Sequence, residues 1–152
     1  MIAFEPDHDN LGSLKKNFGK DNRVKIIGKG LSDEEKVLIF SPNGSTGCFK
    51  QADEKDVSQD LMKIPCTSID KTPECRDAAF IKMDIEGSEM EALMGSFVTI
   101  QRNHPKLAIC IYHSLEDMVR IVEYVHKSYP EYKLYIRHHT ADWGETVLYA
   151  VK

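Results

Sequence analysis

Two carboxylates and a histidine, Asp84, Glu86 and His113, are the residues of this sequence whose types and placing suit proton chemistry. Asp84 and Glu86 fall at the end of the run Phe80-Ile81-Lys82-Met83-Asp84-Ile85-Glu86-Gly87, and His113 follows directly on Leu107-Ala108-Ile109-Cys110-Ile111-Tyr112. Both runs are short and apolar, as strands covered on both faces are. If the two strands are neighbours, the three side chains converge although they lie far apart in the chain. An imidazole, or a carboxylate with a raised pKa, can take a proton near neutral pH. The same set could hold a metal ion, although its spacing is not a dedicated metal motif. The plain structural alternatives are a turn-capping acid for Asp84, a solvated acid for Glu86 and a helix-start residue held by hydrogen bonds for His113.

The elements that must position these groups alternate along the chain. After Phe80–Ile85, Ser88 with Glu91 has the form of a capping box, and Met90, Leu93, Met94, Phe97 and Ile100 make one apolar helix face. After His113, Ser114 with Asp117 repeats the capping pattern, and Leu115, Met118, Val122, Val125 and Tyr129 form the next stripe until Pro130 stops it. Tyr132 to Arg137 and Thr146 to Val151 read as strands whose short polar join suits an antiparallel pair. Upstream, Met1 to Phe4 is a strand closed by Glu5-Pro6-Asp7. A helix carrying Leu11, Leu14 and Phe18 follows, then a strand from Arg23 to Ile27 with its exit at Leu31-Ser32-Asp33. Lys36 to Gln51 reads as a hairpin turning at Pro42-Asn43-Gly44-Ser45, residues 52–60 as a surface loop or single helical turn, and Ile64 to Ile69 as a short strand.

Composition bounds the class. With 152 residues, 41% of them hydrophobic, the chain is large enough for one core, and no repeat or linker divides it. A net charge of −4 without a basic run argues against a nucleic-acid partner. No apolar stretch approaches the ~20 residues of a bilayer span, and the N-terminus lacks a signal-type segment, so a cytoplasmic protein with no membrane partner is expected. Cys48, Cys66, Cys75 and Cys110 form no CxxC pair and are expected to be free thiols.

Ala3-Phe4-Glu5-Pro6-Asp7, Leu31-Ser32-Asp33, Phe80-Ile81-Lys82-Met83-Asp84-Ile85-Glu86-Gly87, Tyr112-His113 and Leu148-Tyr149-Ala150 come in the order and spacing of the FkbM-type methyltransferases, which the whole chain resembles. The resemblance implies a Rossmann-like class I α/β domain over residues 1–152. Its sheet would be mainly parallel with a C-terminal antiparallel hairpin, and the family's first strand and glycine-rich turn would be absent. That absence would leave the strands ending at Glu5 and at Asp84 with unpaired edges, or pair them with each other. The resemblance also implies S-adenosyl-L-methionine as cofactor and O-methylation of a small-molecule or sugar hydroxyl. Glu5 would then accept hydrogen bonds from ribose hydroxyls; its alternative is an acid favoured by the helix dipole. Leu31 and Ser32 would contact the adenine edge, with Asp33 a weaker candidate and a plain turn the alternative. Asp84, Glu86 and His113 would serve the transfer itself. Two other functions fit the same residues: a methyltransferase-like binding module without turnover, and a metal-assisted hydrolase using Asp84, Glu86 and His113.

Lys82 shares a strand face with Phe80 and Asp84. It is expected to run along the sheet to the rim or to pair with Asp84, because an unpaired lysine is rarely buried. His138 and His139, in the last connection, would line the acceptor pocket or lie in a solvated loop, and Arg137 would meet a surface acid or an acidic substrate.

Overall fold

The computed structural model describes residues 1–40, 49–51, 62–141 and 144–152. The turn of the first hairpin, Cys48 and residues 52–60 lie outside them. The N-terminal unit is a strand, a helix and a strand: β1 (Ile2–Phe4), α1 (His8–Phe18) and β2 (Lys25–Ile27), with the two strands parallel. Asp7 caps α1 by accepting from the backbone N–H groups of Asp9 and Asn10. Phe18 stays 42% exposed, so the apolar stripe of α1 is only partly used.

A second sheet holds β3 (Gly30–Leu31), β4 (Lys36–Phe40), β5 (Phe49–Gln51) and β6 (Met62–Thr67) in the order β3-β6-β4-β5. β3 and β6 run parallel, whereas β4 is antiparallel to both β5 and β6. A third sheet, β7-β8-β10-β9, is built from β7 (Phe80–Met83), β8 (Lys106–Cys110), β9 (Lys133–His138) and β10 (Thr146–Val151). β7 and β8 are parallel, and β10 lies antiparallel between β8 and β9. The expected terminal hairpin is thus present. The sheets are mixed: in the second only β4, and in the third only β10, runs against the other three strands. β1 and β7 do not pair with each other among the described residues.

Three helices lie on one face of the third sheet: α2 (Glu89–Met94), α3 (Phe97–Asn103) and α4 (Leu115–Ser128). Ile81, Met83, Leu107, Ile109, Leu148 and Ala150 point from the sheet into the same core as Leu93, Ile100, Ile121 and Val125 from the helices. Burying such side chains contributes about 1.5–3 kcal/mol each relative to leaving them exposed. On the opposite face Phe80 is 59% exposed and Lys82 is open. The strand at Phe80 is therefore half-buried with a period of two, and not covered on both faces.

The helix after Ser88 is also two helices. Gly95 and Ser96 break it, because the backbone there presses against the β3 exit: a Cβ on Gly95 would collide with the Ser32 carbonyl oxygen and lie 2.8 Å from Ser68 Cβ. The break shifts the helical phase, so Ile100 is buried while Met94 and Phe97 are 49% and 38% exposed. Ser88 makes no side-chain cap. The start of α3 is instead capped from a distance by the Asp70 carboxylate, which accepts from Val98 and Thr99 N–H at 2.9 and 2.8 Å.

Candidate active site

The rim forms where β7 and β8 end side by side. Their parallel register pairs Met83 with Ile109, so Asp84, just past β7, and Tyr112 and His113, just past β8, meet at one end of the sheet. Tyr112 donates its hydroxyl to Asp84 Oδ1 at 3.1 Å. His113 Nε2 stands 3.4 Å from Asp84 Oδ1, and Nδ1 stands 3.8 Å from Glu86 Oε2. The convergence expected of Asp84, Glu86 and His113 is observed.

The turn that makes this possible is locally strained. Glu86 has φ +58° and Gly87 φ +91°, both in the left-handed region. A side chain at the Gly87 position would find ordinary room, with His113 Cβ at 3.9 Å, so the glycine is required by its backbone angle and not by crowding. At Glu86 the same region carries a cost of about 1–2 kcal/mol for a residue with a Cβ. Two left-handed residues reverse the chain so that Glu89, the first residue of α2, turns back under the strand end.

Glu89 is the member of the site that sequence reasoning missed. It is 1% exposed, its Oε1 accepts the Ile85 N–H at 2.7 Å, and the same oxygen lies 3.1 Å from His113 Nε2. That last contact is a close pair of polar groups whose geometry is not that of an aligned hydrogen bond, and Glu89 Oε2 and His113 Nε2 are both buried without a hydrogen-bond partner. The signal in the sequence was the Glu four residues after Ile85, masked by the Ser88/Glu91 pattern that suggested an ordinary cap.

Electrostatics separate the roles. Glu89 beside it pushes the His113 imidazole up from its usual value, against the opposing effect of burial, and Glu86 and Asp84 add to the rise. Burial alone would raise Asp84, but hydrogen bonds from Tyr112 and the Cys110 thiol, with Lys82 and His113 nearby, hold its carboxyl below the ordinary carboxylate value. Asp84 therefore does not have the raised pKa that a carboxylate base would need. Lys82 Nζ sits 3.6 Å from Asp84 Oδ2, which is the pairing expected for it.

A cleft of about 300 Å³ joins this rim to the end of β1. Glu5, Pro6, Asp7 and Asn10 line one side, Asp84, Ile85, Glu86 and Ser88 the other, and Leu31, Leu38, Ile64 and Cys66 form an apolar wall. Glu5 Oε1 accepts the Asp7 N–H at 2.8 Å, which fixes the carboxylate at the cleft edge. Ser32 and Asp33 are not among the lining residues. Ser32 is buried, its N–H bonded to the Thr67 carbonyl oxygen, and Asp33 accepts from Ser32 Oγ at 3.0 Å and pairs with Lys36 at 2.5 Å. His138 and His139 lie away from the cleft lining, bonded to Thr146 and Tyr149. Among the described residues Cys66, Cys75 and Cys110 are buried free thiols, as expected.

The chain is thus an α/β domain whose strand ends carry an acid-and-histidine rim that opens on a cleft with an acid at its far edge. The methyltransferase FkbM domain model matches residues 1–143, and the chain belongs to that family. The chain is also similar to the crystal structure of methyltransferase FkbM from Methylobacillus flagellatus KT. The two are 33% identical and superpose with a TM-score of 0.71, over 98% of this chain and 36% of that one. This chain thus spans about a third of that structure's length. No curated protein matches it.

Proposed function

We propose that the domain transfers a methyl group from S-adenosyl-L-methionine to a hydroxyl of a small molecule or sugar, through a Rossmann-like cofactor site. One observation carries the reading: Glu5 and the Asp84–Glu86 wall border a single cleft. The lining suits the cofactor. Glu5 would accept from ribose hydroxyls, and Leu31 with its apolar neighbours would take the adenine, while Ser32 and Asp33 hold the Leu31 segment from behind. When bound, S-adenosylmethionine supplies a methyl carbon on a sulfonium sulfur, open to in-line displacement.

What this chain's own residues contribute is position and proton removal. Asp84 and Glu86 would place the acceptor at the rim, and the cluster they form with His113 would take the proton that its hydroxyl gives up on methylation. The test follows release of S-adenosylhomocysteine in the presence of small sugars and other hydroxyl compounds. His113→Ala is expected to lower turnover by about two to four orders of magnitude with cofactor affinity nearly unchanged. Unaltered turnover would remove the rim from the mechanism.

A further inference from the structure

The three groups Asp84, Glu89 and His113 each offer one ligand atom, and these atoms lie within 4.8 Å of one another. Their closest spacings are 3.1 Å between His113 Nε2 and Glu89 Oε1 and 3.4 Å between His113 Nε2 and Asp84 Oδ1. A cation held at about 2.1 Å by nitrogen and oxygen ligands needs neighbouring ligand atoms about 3.0 Å apart in an octahedron and about 3.4 Å apart in a tetrahedron. The two edges at His113 are of that size, and the third, between Asp84 and Glu89, is within 4.8 Å.

A second observation is independent of the spacing. Glu89 is 1% exposed, and its Oε2, like His113 Nε2, is buried without a hydrogen-bond partner. A buried carboxylate with an unmet oxygen is costly unless a cation completes it. Two carboxylates crowd a single imidazole here, with Glu86 Oε2 a further 3.8 Å from its other nitrogen, so a divalent charge would balance what the protein leaves in excess. Glu86 stands on the side where a ligating imidazole takes an outer carboxylate.

We propose that Asp84, Glu89 and His113 form a binding site for a divalent first-row metal ion, opening through Asp84 onto the cleft. Glu89, and not the 81%-exposed Glu86, is the inner carboxylate of the site. One imidazole with two carboxylates suits manganese(II), iron(II) or zinc(II). Three protein ligands leave coordination positions for water or an acceptor oxygen. The catalytic meaning of the site rests on the methyltransferase reading above: an ion held here would make an acceptor hydroxyl easier to deprotonate, and, with Asp84 and His113 engaged as ligands, Glu86 is the member of that cluster left to take the proton.

The experiment is titration of the metal-free protein with manganese(II) alone, followed by the loss of the free-ion electron paramagnetic resonance signal. One ion per chain is expected to bind. Glu89→Gln keeps the acceptor for the Ile85 N–H but removes the charge, and Asp84→Asn keeps the acceptor for the Tyr112 hydroxyl and removes the charge at a less buried position. Each is expected to weaken manganese binding at least about tenfold, since loss even of an outer partner costs that much. Circular dichroism confirms that each variant is folded, and the Asp84 variant keeps the test open if the Glu89 variant is not. No binding by the native protein, or equal binding by both folded variants, would overturn the site. Manganese binding with no affinity for S-adenosylmethionine would support the site and remove the functional reading, so the two failures are distinguishable.

Discussion

Glu89 and Cys110 owe their properties to where the backbone leaves them. Cys110 is buried beside Asp84, and burial first, then the neighbouring carboxylate, pushes its thiol up to about 12. Almost none of it is thiolate at pH 8, and the thiolate is the reactive form. Iodoacetamide at that pH is therefore expected to modify Cys110 far more slowly in the native protein than in urea, as read by peptide mass spectrometry. Similar rates in the two would contradict its burial. Asp84, Glu86 and His113 were legible in the sequence because strand-end residues after two apolar runs can be placed by counting. Glu89 was not, because its inward turn depends on the left-handed angles of Glu86 and Gly87, and only the glycine announces such a turn by its type.

At the scale of elements, packing overruled the local pattern of one helix. The apolar period through Met90, Leu93, Met94, Phe97 and Ile100 continues across Gly95, yet close approach to the Ser32–Asp33 backbone divides the helix there. A glycine inside a helical pattern was the visible trace, but the backbone it touches, at Ser32 and Asp33, lies more than sixty residues away in sequence. Gly95→Ala is expected to destabilise the fold by about 1–3 kcal/mol or more, because its new methyl meets backbone that cannot swing aside. Urea denaturation measures this, and a midpoint equal to that of the native protein would contradict the close approach. Strand direction was legible where a short polar join links two runs, as at β4–β5 and β9–β10, because such a join only allows an antiparallel pair. The partners across longer connections, β6 beside β4 and β10 beside β8, were not, since nothing in an apolar run names its neighbour.

For the whole molecule, the second sheet is tied to its loop by charge. Asp33 accepts from Lys36, and this bond, helped by Ser32 and opposed by partial burial, holds its carboxyl below the ordinary value. A group whose folded pKa is depressed stabilises the fold above its unfolded value, near 3.8, and that contribution disappears as pH falls through the folded value. Melting temperature is thus expected to fall with acidification below about pH 4 less steeply in Asp33→Asn than in the native protein. Identical slopes would remove the pair from the acid response. No helix among the described residues is long and apolar enough to cross a membrane.

The central claim is that the cleft between Glu5 and Asp84 is a cofactor site, and calorimetry with S-adenosylmethionine tests it most directly. The native protein is expected to bind, and Glu5→Ala to bind at least about tenfold more weakly, since a charged acceptor contributes roughly 1.5–3 kcal/mol per hydrogen bond. Equal affinity in the two proteins would return Glu5 to a residue that only favours the start of α1, and would contradict the account.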